Sequence, residues 1–93
     1  MGLDIGIISF RYLERPQGRA YGFAWKLAEE ASVNGYMHGD GNSWGGFTKE
    51  GVQAMLAEFT GARGLSAQEQ AEVSTWVASL PWNNDLIELH FNS

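Results

Sequence analysis

Six of the chain's twelve glycines stand between positions 35 and 51. Glycine favours turns and close backbone approaches over regular structure. Residues 35–47 read Gly-Tyr-Met-His-Gly-Asp-Gly-Asn-Ser-Trp-Gly-Gly-Phe, and two forms fit them: a short hairpin turning at Asp40-Gly41, or one long loop. Every other element must be arranged around this segment.

The flanks are better punctuated. Residues 3–13 are rich in β-branched and aromatic side chains, which predicts a strand. Leu3, Ile5 and Ile7 alternate on one face, then Ile8, Phe10 and Tyr12 on the other. That switch implies a bulge near Ile7 or a strand covered on both faces. Arg15-Pro16-Gln17-Gly18 supplies a turn. Residues 20–33 carry Ala20, Phe23, Ala24, Leu27 and Ala31 on one helical stripe, and Asn34-Gly35 stops it.

Two further helices follow the glycine-rich segment. Thr48 caps a helix over 48–60 with Val52, Met55, Leu56 and Phe59 inward, and Gly61 ends it. Ser66-Ala67-Gln68-Glu69 is a capping box for a helix over 66–80. Its stripe is Val73, Trp76, Val77 and Leu80, and Pro81 stops it. The short connection over 61–65 predicts an antiparallel helical hairpin. Ile87, Leu89 and Phe91 alternate with Leu86, Glu88 and His90 in a closing strand. The class is therefore α+β: a small sheet containing the N- and C-terminal strands, covered by three helices including the hairpin. At 93 residues this is one domain, and it buries only about 60–65% of its extended surface.

The glycine-rich segment echoes several chemical motifs and completes none. Residues 41–48 have the glycine spacing of a phosphate-binding loop, but Phe47 stands where the lysine belongs. Asp40, Asn42, Gly45, Phe47 and Thr48 sit near the offsets of a calcium loop, but Trp44 and Gly51 replace two oxygen ligands. His38, Asp40 and Ser43 hold the ingredients of a hydrolytic triad without its geometry. His38 and Asp40 with Glu88 and His90 are metal-ligating types whose meeting no spacing requires. The chain has no cysteine, which excludes a disulfide framework, a thiolate metal site and a cysteine nucleophile. No metal or cofactor is expected.

Charge is unevenly distributed. Residues 1–26 hold four basic and two acidic residues, a net of +2, and residues 27–93 hold two basic and nine acidic, a net of −7. Phosphate neutralisation needs clustered Lys and Arg, so nucleic acid is not an expected partner. No apolar run spans a bilayer and no targeting segment is visible, so the expected setting is cytoplasmic. An acidic surface suits a basic protein partner. Tyr36 and Trp44 stand outside any core periodicity and are the candidate contact anchors, with Glu69 and Glu72 steering the encounter.

The opening Met1-Gly2-Leu3-Asp4, running straight into a strand, resembles the start of a loose group of small uncharacterised proteins from bacteria and their phages. The resemblance implies a helix, loop and helix order after the first strand, a bacterial or phage source, and no function.

These observations point to a small acidic protein-binding module of the phage-accessory, inhibitor or immunity type. The alternative is a small-ligand or anion binder, or a hydrolytic enzyme, built on His38, Asp40, Asn42 and Ser43 within residues 36–48. A third reading is a homo-oligomer joined through a strand edge. If the glycine-rich segment is scaffold, Arg11, Arg15 and Arg19 are the next candidate contact group.

Overall fold

A computed structural model of the chain describes residues 2–7, 9–37 and 42–92, with Tyr36 and Met37 described by their backbone. Its elements run α1 (Gly18–Asn34), β1 (Tyr36–Met37), β2 (Asn42–Thr48), α2 (Lys49–Arg63), α3 (Ala67–Ser79) and β3 (Leu86–Asn92). The three strands form one antiparallel sheet in the order β1-β2-β3. The α+β class follows directly.

Two of these helices, α2 and α3, begin where the sequence places their caps. Thr48 Oγ1 accepts from the Gly51 N–H at 2.9 Å, satisfying one of the donors a helix start leaves open. At α3 the reciprocal box is complete: the Glu69 N–H donates to Ser66 Oγ, and the Ser66 N–H donates to the Glu69 carboxylate. The end of α2 differs from expectation. Gly61 lies inside the helix, and the chain turns three residues later at Gly64, whose φ of 60° is the left-handed stop. An interior glycine costs a helix only about 1 kcal/mol, whereas the left-handed stop needs glycine's freedom.

The glycine-rich segment is a hairpin whose second arm, β2, is the central strand. Its connection, residues 38–41, falls outside the described residues. Register with β3 pairs Phe47 with Ile87, Gly45 with Leu89 and Ser43 with Phe91. Those positions face the helices, where Ser43, Gly45, Phe47 and Ile87 are buried. The alternate pairs, Trp44 with His90 and Gly46 with Glu88, face outward. Gly45 lets α1 come close: a Cβ there would stand 2.9 Å from the Ala31 Cβ and 2.9 Å from the Phe47 ring. Gly45→Val should therefore overpack the layer and cost about 1–3 kcal/mol. Urea unfolding tests this, and an unchanged midpoint would remove close packing as the reason for that glycine.

The core lies between the inner sheet face and the helix layer. Phe23 and Leu27 of α1, Val52, Leu56 and Phe59 of α2, and Val73 and Val77 of α3 meet Phe47 and Ile87 there. Leu89 and Phe91 of β3 pack at its margin, as does Trp76. Trp76 was expected inside and is half-buried. With Leu80 it lines the cleft beside β3, which leaves part of the indole uncovered. Trp82 anchors the turn after α3 by donating its Nε1–H to the Val77 carbonyl at 2.9 Å.

The strand expected over residues 3–13 is a correction. Residues 2–7 and 9–17 have no regular secondary structure; Ile8 lies outside the described residues. Strand-forming composition supplies no pairing edge by itself: β3 pairs with β2, while Leu3, Ile5 and Ile7 stand in solvent and join no strand among the described residues.

Candidate protein-binding surface

The outer face of the sheet carries an aromatic cluster. Trp44 and His90, opposite each other across β2 and β3, have ring centroids 4.8 Å apart. Phe10 stacks on His90 at 4.3 Å with planes 25° apart. It also meets Trp44 edge-on at 5.6 Å and Tyr12 at 5.3 Å. Such offset and edge-to-face pairs contribute about 0.5–1.5 kcal/mol each beyond their buried area. His90 Nδ1 is buried without a hydrogen-bond partner among the described residues, so this imidazole serves as a stacking ring. The cluster pins the extended chain of residues 9–14 alongside β3.

Between that extended chain and β3 lies a cleft of about 710 Å³. Its walls include Leu13 on one side, Leu89 and Phe91 on the other, and Trp76 and Leu80 at the end of α3. A smaller hollow of about 290 Å³ continues it between residues 13–16 and the same end of α3. Apolar side chains form much of the cleft and of the chain leading to it. Leu3, Ile5 and Ile7 are 84%, 87% and 96% exposed. Phe10, Tyr12 and Leu13 continue the exposed run. Soluble monomers seldom expose contiguous apolar stretches of this kind outside interaction sites.

The structure places the sequence-derived site residues as follows. Trp44 stands on the central strand, half-buried in the aromatic cluster, and not in a loop. Tyr36 belongs to β1 and pairs in register with Trp44; its side chain lies outside the described residues. Glu69 closes the α3 capping box and accepts from Arg19 Nε at 2.7 Å, so its charge is committed within the chain. Glu72 is exposed on α3. Asn42 is half-buried at the start of β2, and Ser43 is buried against the helix layer, which withdraws its hydroxyl from any surface site. His38 and Asp40 lie outside the described residues. Glu88 and His90 share the outer face of β3, but among the described residues no three His, Asp or Glu side chains group as a metal site. Sequence reasoning placed Phe10, Tyr12 and Leu13 in a strand and not at a contact surface, and weighed His90 only as a metal-ligating type. Their signal was the change of apolar face within residues 3–13.

Of the Arg11, Arg15 and Arg19 group, Arg19 pairs with Glu69 and Arg15 lies over the Tyr21 ring at 5.8 Å. Arg11 lines the cleft. Among the described residues no helix is long and apolar enough to cross a membrane.

The Glu69 carboxyl is lowered from an ordinary value of 4.5 to about 2, first by the Ser66 backbone N–H and then by Arg19. A carboxylate with a depressed folded value stabilises the fold above its unfolded value and loses that contribution as pH falls through the folded one. The capping contribution should thus be complete above pH 4.5 and fade towards pH 2. Glu69→Gln should flatten the acid limb of the melting-temperature profile relative to the parent chain. Parallel profiles would show that the box carries no linked charge.

No family model, no curated protein and no solved structure matches the chain.

Proposed function

We propose that the chain is a small acidic protein-binding module of the accessory, inhibitor or immunity type, acting in the cytoplasm through residues 2–14 and the cleft beside β3. The observation that carries this reading is the exposure of Leu3, Ile5, Ile7, Phe10, Tyr12 and Leu13 along that segment. Apolar anchors seated in desolvated pockets supply most binding energy at protein interfaces. Residues 27–93, with a net of −7, favour a basic partner and speed its approach at low salt. Trp44 supports the surface by holding Phe10, so Trp44→Ala acts on the pose of residues 9–14.

The test is affinity capture from the source cells with the parent chain and with Ile5→Glu, followed by binding kinetics on the purified partner. Loss of tenfold or more in affinity with an unchanged fold supports the reading. Equal capture and equal affinity would overturn it. Ser43 is buried and Asn42 is paired in β2, so these two residues do not support the ligand-loop alternative; His38 and Asp40 lie outside the described residues.

A further inference from the structure

A single Asn-Gly step occurs in the chain, at Asn34-Gly35. An asparagine side-chain amide is open to attack by the backbone nitrogen that follows it, and most open when that residue is glycine, because no β-carbon screens the nitrogen. The other asparagines, Asn42, Asn83, Asn84 and Asn92, are followed by Ser43, Asn84, Asp85 and Ser93. At position 35 the fold forbids the simplest protection, a larger residue. The end of α1 lies against the central strand there. A Cβ on residue 35 would collide with the Trp44 carbonyl oxygen and stand 2.6 Å from the Ala31 carbonyl oxygen. Both are backbone atoms, which cannot swing aside as a side chain does. Close packing therefore imposes the glycine, and the reactive pair comes with it.

We infer that Asn34 is a site of spontaneous covalent modification, restrained by the end of α1, whose product loosens the junction between α1 and the sheet. In the reaction the Gly35 nitrogen gives up its proton and bonds to Asn34 Cγ, the Cγ–Nδ2 bond breaks, and ammonia leaves. Water then opens the succinimide at one of its two carbonyls and leaves aspartate or isoaspartate, with no change of oxidation state. Three features of the folded chain oppose the first step. Asn34 is the last residue of α1, so its backbone is held in the helical turn. The Gly35 N–H donates to the Ala31 carbonyl at 2.8 Å, which keeps the nitrogen protonated and turned away from Cγ. Asn34 Nδ2 donates to the Glu30 carboxylate at 2.7 Å, which draws the side chain back along the helix. Both residues of the pair are exposed, so water is at hand whenever the turn opens, and helix ends open at low cost.

The product is unfavourable where it forms. The last turn of α1 holds no basic residue, so a carboxylate at position 34 opposes the helix dipole and repels Glu30 one turn back. Isoaspartate also adds a methylene to the backbone just before β1, whose Tyr36 pairs with Trp44. The inference stands apart from the protein-binding reading and does not depend on it.

Ageing the full chain in mildly alkaline buffer, folded and in urea, tests it by peptide mass spectrometry. The mass gain of an amide turned into a carboxyl should appear first at Asn34 in both samples. Asp40-Gly41 closes the same ring by losing water and regains it on hydrolysis, so it adds nothing to that signal. Conversion should be at least about tenfold slower in the folded chain, since it waits on the opening of a hydrogen-bonded turn. Glu30→Ala should speed the folded chain about twofold, the worth of one side-chain pair a turn apart, and leave the rate in urea unchanged. The aged parent chain, separated by charge, should melt below the fresh one, whereas Asn34→Gln aged in the same way should keep its melting temperature. Earlier conversion at another asparagine, equal rates folded and unfolded, a folded rate indifferent to Glu30→Ala, or an aged chain of unchanged melting temperature would each overturn the inference.

Discussion

Phe23→Ala is expected to remove about 3–5 kcal/mol of folding stability. Phe23 is fully buried at the centre of the α1 stripe, and it meets Phe59 of α2 edge-on with centroids 5.3 Å apart. Its loss opens a cavity between two helices and removes an aromatic pair at the same time. A domain of this size has a net stability near the lower end of about 5–15 kcal/mol, so the variant should be largely unfolded at 37 °C. Urea titration followed by tryptophan fluorescence measures it. Trp76→Ala should cost less than Phe23→Ala despite the larger side chain, because Trp76 is half-buried at the core's margin. A reversed order would move the centre of the core from α1 to α3.

Removing residues 2–7 is expected to have the largest effect on association and almost none on folding. Leu3, Ile5 and Ile7 bury nothing in the isolated chain, so the melting temperature of the dilute protein should not move. Deleting three apolar anchors from an interface typically costs 2 kcal/mol or more for each true hot spot. Association should therefore weaken by at least tenfold, as read by binding kinetics on a captured partner. A truncated chain that unfolds would instead assign these residues to the fold.

The helices were legible in the sequence because their information is local. Thr48, and Ser66 with Glu69, announce helix starts through hydrogen bonds spanning three residues. The stripes of Phe23, Leu27 and Ala31, and of Val73 and Val77, recur at helical spacing. The closing strand was legible through Ile87, Leu89 and Phe91. The central strand was not, because its inward positions are Ser43, Gly45 and Phe47, of which a single residue is large and apolar. Glycine at position 45 answers to α1 above it, a long-range requirement that local pattern does not express. The error over residues 3–13 has the same origin in reverse: strand composition is local, whereas an edge to pair with is not. For the candidate surface, sequence pointed to Trp44 as an aromatic outside any helix stripe. It could not show that Trp44 meets Phe10 and His90, which come from opposite ends of the chain. Glu69 was read as a surface charge as well as a cap, and its contact with Arg19, fifty residues away, lay beyond any motif.

Assigning residues 2–14 to an interface makes a statement about their backbone amides. Hydrogen exchange of this segment, followed by mass spectrometry in dilute and in associated samples, reads it directly. In the dilute chain, residues 2–7 should exchange at the rate of an unstructured peptide. On association they should become protected, together with β3, while α1 and α2 stay unchanged. Protection of residues 2–7 in the dilute chain, independent of concentration and partner, would place the segment inside the folded core and contradict the assignment.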